Sequence, residues 1–166
     1  MSTTHHHTGG DRPVACGIVT VSDTRTVETD TSGGCIRTLL EAAGHRVTAY
    51  SIVPDDPSMV RDRIVELIAE GAEAVIVNGG TGLAPRDTTY EAVVALLAKR
   101  LDGFGELFRA LSFAEIGPAA MLSRAVAGVS GRTVVVALPG STKAVELAMQ
   151  KLLVPLLSHM RDLVRS

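Results

Sequence analysis

The chain has no Trp and only two Tyr and three Phe among 166 residues, an aromatic share of 3%. Proteins that grip single-stranded nucleic acid stack bases on aromatic rings, and this sequence supplies too few rings for that. A basic block is missing as well: 16 Lys and Arg stand against 18 Asp and Glu, for a net charge of −2. DNA, RNA and anionic membrane surfaces select a clustered cationic face, so none of them is expected as a partner. No run of roughly 18 apolar residues is present to span a bilayer, and the first residues lack the apolar centre of a signal peptide. The two cysteines, Cys16 and Cys35, have neither a CxxC spacing nor a histidine beside them. Both read as small, buried, reduced residues, which fits a cytoplasmic setting.

Hydrophobic residues nevertheless make up 46% of the chain, enough for one full core. Residues 1–12, with Thr, Gly and the successive His5, His6 and His7, cannot bury apolar surface and read as a disordered leader. The folded domain is expected over 13–166. Residues 13–21 have the length and apolarity of a buried strand, and Ile36, Leu39, Leu40 and Ala43 then recur at helical spacing until Gly44. A β-branched stretch over 45–53 returns to strand chemistry. Pro54-Asp55-Asp56-Pro57-Ser58 turns into a second helix with Val60, Ile64, Leu67 and Ile68 on one face. Ala74-Val75-Ile76-Val77 is a third strand, followed by a helix expected over 88–99 with Thr88 or Thr89 as its cap. Between 102 and 131 the pattern is irregular: Gly103-Phe104-Gly105-Glu106 interrupts it, a short helix fits 107–111, and an irregular strand or hairpin fits 123–129. Residues 133–138 form a clear strand, and 141–163 a long amphipathic helix that Pro155 should kink. Strands alternating with helices over short links imply a single α/β domain, its mostly parallel sheet covered by helices on both faces.

Three turns that follow strands carry anion-binding chemistry: Ser22-Asp23, Gly79-Gly80-Thr81-Gly82 and Pro139-Gly140-Ser141-Thr142-Lys143. An open α/β sheet binds ligands outside the carboxyl ends of its strands, so these turns should gather on one rim around a phosphorylated ligand. The glycine turn lets backbone N–H groups approach an anion closely, although it has neither the Walker A nor the GxGxxG form. Arg86-Asp87 follows, a permanent cation beside a carboxylate; Asp87 reads either as a Mg²⁺ ligand or as a helix cap. Asp55 and Asp56 directly follow the second strand and belong on the same rim, either of them as a second metal ligand or both as a Pro-Asp turn. Asp30-Thr31-Ser32-Gly33 opens the first helix, as an anion nest or as plain capping. His45 and His159 read as surface or hydrogen-bonded histidines, and without a Ser-His-Asp or Cys-His arrangement covalent catalysis has no support. Positioned carboxylates and anion-binding turns suit phosphoryl or nucleotidyl transfer.

Taken in order, Thr20-Val21-Ser22-Asp23, Asp30-Thr31-Ser32-Gly33, Gly79-Gly80-Thr81-Gly82 with Pro85-Arg86-Asp87, Gly103-Phe104-Gly105-Glu106, Ser123-Arg124-Ala125 and Pro139-Gly140-Ser141-Thr142-Lys143 resemble the MoaB/Mog family of molybdenum-cofactor biosynthesis proteins. The stretch from Leu111 through Ser112, Phe113, Ala114, Glu115 and Ile116 to Gly117 is closer to the MoaB branch. The resemblance implies a Mog-like α/β fold that binds molybdopterin and transfers AMP from ATP to its terminal phosphate, with Mg²⁺, releasing pyrophosphate. By motif it assigns catalysis and the metal to Asp55 and Asp87. The shared motifs place substrate contact at Ser22, Asp23, Asp30, Ser32, Gly33, Gly79, Gly80, Thr81, Gly82, Arg86, Ser123, Arg124, Pro139, Gly140, Ser141 and Lys143. Tyr90 stands where the family usually has Pro, which implies a local change at that helix start. The family also implies self-association as trimers or hexamers, with the apolar stretch 104–113 in the interface. The alternative is a non-catalytic assembly protein that holds pterin or nucleotide through the same turns; the retained Asp55 and Asp87 favour the transferase.

Overall fold

The computed structural model describes residues 12–166. The expected leader, with His5, His6 and His7, lies outside the described residues apart from Arg12, whose guanidinium bonds Glu73 at 3.4 Å. Six strands form one sheet: β1 (Ala15–Val21), β2 (Arg46–Val53), β3 (Ala74–Asn78), β4 (Lys99–Arg100), β5 (Val126–Ser130) and β6 (Thr133–Leu138), in the order β2-β1-β3-β6-β5-β4. The first four of that order pair in parallel, and β5 and β4 add an antiparallel edge. Alternation along the central strands divides the core. Cys16, Ile18, Ala74, Ile76, Val134 and Val136 face one layer; Val19, Val75, Val77, Val135 and Ala137 face the other.

Helices α1 (Thr31–Ala42), α4 (Asp102–Ile116), α5 (Thr142–Ala148) and α6 (Val154–Arg165) cover the first layer through Ile36, Leu40, Phe108, Val145 and Leu157. The second is covered by α2 (Pro57–Ala69) and α3 (Thr89–Val94) through Val60, Ile64, Leu67 and Val93. Burying each such side chain contributes roughly 1.5–3 kcal/mol, so both faces of the sheet are needed to hold the fold. Gly44 and Gly71 end α1 and α2 at φ of +82° and +96°, a backbone region other residues avoid.

The middle of the chain departs from the sequence expectation. The third helix does not run over 88–99 but stops at Val94. Edge pairing wins over helical continuation there, since Ala98 N–H donates to Val129 O at 2.8 Å and Leu101 N–H to Ala127 O at 2.7 Å. Gly103 to Glu106 does not break the pattern; it opens a helix of 15 residues in place of the short one expected over 107–111. Gly105 is there for packing, because a Cβ would meet Ala125 O at 3.0 Å. A turn of 3₁₀ helix (Gly117–Leu122) leads on to β5, which forms a hairpin with β6 at Gly131. Pro155 enters through a π-helical turn (Met149–Leu153) joining α5 to α6, where the wider turn accommodates a residue that lacks an N–H. Cys16 is buried and Cys35 half-buried, both as free thiols. Burial, aided by Glu73, pushes the Cys16 thiol up to about 12, so it is inert. His45 is half-buried and accepts the Val14 N–H at 3.3 Å.

Candidate functional site

The carboxyl ends of β1, β2, β3 and β6 come together around a cleft of about 350 Å³. Two glycines make this convergence possible. Gly79, at φ +96°, lies against the carbonyl of Val21, where any side chain would collide, and a Cβ on Gly140 would stand 3.3 Å from Gly79 Cα. The turns after β1, β3 and β6 therefore touch backbone to backbone. The turn after β2 joins them through Asp55, whose N–H donates to Asp23 Oδ1 at 2.9 Å.

Of the residues singled out in sequence, Ser22, Asp23, Asp55, Gly79, Gly80, Arg86, Asp87 and Gly140 line this cleft. Ser22 also shapes its wall, its hydroxyl accepting the N–H groups of Thr24 and Arg25 at 3.2 and 3.0 Å. Arg86 pairs with Asp23 across the mouth. Burial raises the pKa of Asp55; the Thr88 hydrogen bond opposes this, and the nearby charges of Asp87 and Asp23 add to it. Asp87 is not the helix cap: its Oδ2 accepts the Ala84 N–H at 3.1 Å inside the loop, and α3 begins from Thr88 without a side-chain cap. Gly80 has φ +66°, and a Cβ on it would strike the Thr89 hydroxyl and lie 3.2 and 3.3 Å from the Asp55 carboxylate oxygens. That Thr89 hydroxyl is buried without a hydrogen-bond partner. Asp56 turns away to cap α2, accepting the Met59 N–H at 3.0 Å.

Other expected contacts lie behind the cleft rather than in it. Asp30 caps α1 through the Gly33 N–H at 3.0 Å and accepts a short hydrogen bond from the Tyr50 hydroxyl. Ser32 is fully buried, with its hydroxyl 2.7 Å from Asn78 Oδ1 and 3.1 Å from Asp30 Oδ1. Burial alone would raise the Asp30 pKa, but hydrogen bonds from Thr20, Tyr50, Gly33 and Ser32 together hold it below the ordinary value. Burial and the Asp30 carboxylate push Tyr50 up to about 12. Asp30, Ser32 and Gly33 thus form a buried network that braces the rim. Ser141 caps α5 through the Ala144 N–H at 3.3 Å, and Pro139 only leads the chain into that turn. Lys143 faces a separate groove of about 510 Å³ beside Glu115, Glu146 and Lys151. Ser123 receives the Ala125 N–H at 3.4 Å, and Arg124 points its guanidinium at the carbonyls of Thr81, Gly82 and Asp87. Thr81 and Gly82 meet that guanidinium through their backbone. Tyr90, the unexpected residue at the start of α3, lies under the same guanidinium, 5.0 Å from ring centre to Arg124 Cζ.

Sequence reasoning missed Arg25. It lines the cleft, donates to Gly140 O at 3.0 Å and Ser32 Oγ at 2.7 Å, and stands 3.5 Å from Asp30. Its only local signal is a cation just after Ser22-Asp23; its partners are remote in the chain. Arg25 and Arg86 place two permanent positive charges on the cleft wall, against the carboxylates of Asp23, Asp55 and Asp87. Among the described residues, no group of three or more His, Cys, Asp or Glu side chains is arranged to enclose a metal. None of their helices is long and apolar enough to cross a membrane.

Residues 17–159 match the family model described as "Probable molybdopterin binding domain". The chain is 52% identical over 161 residues to molybdenum cofactor biosynthesis protein B of Bacillus cereus, covering 96% of this chain and 95% of that protein. Its structure is similar to a crystal structure of a molybdenum cofactor biosynthesis protein B, with TM-score 0.91 and 50% identity over 94% of this chain and 98% of the other. It is also similar to the molybdopterin biosynthesis enzyme MoaB from Thermus thermophilus, with TM-score 0.80 and 41% identity over 91% and 96% of the two chains. On the fold, the cleft and these likenesses together, the chain belongs to the MoaB/Mog family of molybdenum-cofactor biosynthesis proteins.

Proposed function

We propose that the cleft binds molybdopterin and ATP and transfers AMP to the terminal phosphate of molybdopterin, with Mg²⁺, releasing pyrophosphate. In this step an oxygen of that phosphate forms a bond to the α-phosphorus of ATP, and the bond from the α-phosphorus to the oxygen bridging to the β-phosphate breaks. The observation that carries the reading is the pair Asp55 and Asp87 beside the Gly80 cradle, with Arg25 and Arg86 on the same wall. That donor set fits Mg²⁺, which takes hard oxygen ligands, commonly one or two carboxylates with phosphates and waters, and needs no all-protein cage. Asp55 and Asp87 would hold it, and the bound ion would neutralise charge on the phosphates.

The remaining roles belong to the chain itself. Arg86, now paired with the half-exposed Asp23, exchanges that partner for a phosphate oxygen; Arg25 is anchored by Gly140 and Ser32 and offers a fixed positive charge. Gly80 keeps the floor of the cleft free of a side chain, so the nucleotide approaches the backbone closely. We further propose that the protein self-associates as a trimer or hexamer. Phe104 and Phe108 are buried in the core and unavailable for that contact, whereas Phe113, Ile116 and Met121 are 60%, 59% and 77% exposed. An apolar surface of this kind on α4 and the following 3₁₀ turn supports an interface between copies. Release of pyrophosphate from ATP in the presence of molybdopterin and Mg²⁺ tests the transfer, and its absence points to the non-catalytic binding role.

A further inference from the structure

The loop between β3 and α3 brings Gly80, Arg86 and Asp87 to the cleft, yet little inside it fixes its shape. Residues 83–86 are exposed, and no residue of 81–88 belongs to either apolar core. Its internal bonds are few: Asp87 N–H to Ala84 O at 2.9 Å, Ala84 N–H to Asp87 Oδ2 at 3.1 Å, and Thr89 N–H to Gly80 O at 3.0 Å.

Beside the Thr88–Asp55 hydrogen bond and the Arg86–Asp23 pair, Arg124 constrains the loop from another part of the chain. Its Nε donates to Thr81 O at 3.3 Å and Gly82 O at 3.1 Å, and its Nη2 to Gly82 O at 2.7 Å and Asp87 O at 2.9 Å. Nη1 pairs with Glu91 at the start of α3, and the guanidinium plane rests on Tyr90. One rigid planar group therefore grips the entry and the exit of the loop at once, which a lysine with its single flexible charge cannot do. All three nitrogens are engaged, and Arg124 is not among the residues lining the cleft. We propose that Arg124 is a positioning residue that sets Asp87 and Arg86 toward the cleft without touching the ligand; the catalytic half of this proposal rests on the adenylyl-transfer reading above.

The test compares Arg124→Lys and Arg124→Gln with the parent, using Arg63→Ala as a control because Arg63 binds Ser51 and Glu66 well away from the loop. Amide hydrogen exchange is measured on ligand-free protein, with pyrophosphate release from ATP, Mg²⁺ and molybdopterin alongside. In both Arg124 variants, exchange of the hydrogen-bonded Ala84, Asp87 and Thr89 amides should speed up by about tenfold or more while β1, β3 and β6 stay protected, as local opening requires. The kcat should fall by about tenfold or more with the KM for molybdopterin within about twofold, because orientation rather than binding is lost. The control should change neither reading. Unchanged loop exchange, a loosened loop with kcat intact, full rescue by Lys, or faster exchange throughout the sheet would each overturn the proposal. If the parent protein releases no pyrophosphate, the adenylyl-transfer reading fails, and loop exchange alone then decides whether Arg124 positions the loop.

Discussion

The backbone N–H of Asp55 donates to Oδ1 of Asp23 at 2.9 Å, tying the end of β2 to the end of β1 and leaving both carboxylates on one cleft. Burial is the main cause of the raised Asp55 pKa, opposed by the Thr88 hydrogen bond and reinforced by Asp87 and Asp23. An ionised Asp55 is the form that binds a cation. In the Mg²⁺-free protein Asp55 should therefore hold its proton to a pH above that of an ordinary Asp, about 3.9, and Mg²⁺ binding should weaken as pH falls through that value. Asp23→Asn removes one like charge but keeps an oxygen for the Asp55 N–H, so the acid limb of kcat/KM should move to lower pH. A pH–rate profile checks this; a limb that stays or moves up contradicts it. A raised carboxyl pKa also means that ionisation disfavours the folded state, so Asp55→Asn should leave the melting temperature unchanged or higher at neutral pH.

Tyr50→Phe should destabilise the fold by about 1–3 kcal/mol at pH 7, since it leaves a buried Asp30 carboxylate short of one donor. The Asp30 pKa is lowered in the folded state, so its contribution is present above the unfolded value near 3.9 and lost as pH falls through the folded one. Urea unfolding followed from neutral pH into strong acid should show the parent and the variant converging. A gap that persists in acid would assign the loss to packing of the ring.

Gly80→Val tests the floor of the cleft. A Cβ there meets the Thr89 hydroxyl and the Asp55 carboxylate, and the φ of +66° is unfavourable for a branched residue, so stability should fall by about 1–3 kcal/mol. Calorimetric titration of ATP into the folded variant should also show a loss of affinity of about tenfold or more, a difference of about 1.4 kcal/mol per decade. Undiminished affinity per folded molecule would make the turn a connector.

Much of this was legible in the sequence because apolar runs of strand length and helical spacing report burial directly. The four parallel strands and α1 and α2 follow from residues such as Val75, Ile76, Ile36 and Ile64. What escaped depended on contacts across the chain. Lys99 and Arg100 form β4 through backbone bonds to β5 while their side chains stay exposed, which leaves no hydrophobic signature. Gly103 and Gly105 resemble helix breakers, yet Gly105 serves close packing against Ala125. At the site, the residues flanking strand ends were readable from the rule that ligands bind there. Arg25 was not, because Gly140 stands 115 positions away in the chain. Asp30 and Ser32 carry the right chemistry for a ligand but bond directly to one another, with Tyr50 and Asn78 as their further partners.

Hydrodynamic mass should correspond to three or six chains. Met121→Asp combined with Phe113→Asp places charges in the exposed apolar surface and should shift the population to monomer without lowering helix content. A parent protein that is monomeric at micromolar concentration contradicts the assembly.

Pyrophosphate release from ATP, Mg²⁺ and molybdopterin, compared between the parent and Asp87→Asn, bears most directly on the proposed adenylyl transfer. Asn keeps an acceptor for the Ala84 N–H, so the loop and the circular dichroism spectrum should be preserved while the metal-binding charge is removed. Turnover by the parent and a fall of about tenfold or more in the variant is the expected result, since losing a charge contact made in the transition state costs at least that much. Variant turnover within about threefold of the parent would remove Asp87 from the metal site, and a parent that releases no pyrophosphate would contradict the transferase itself.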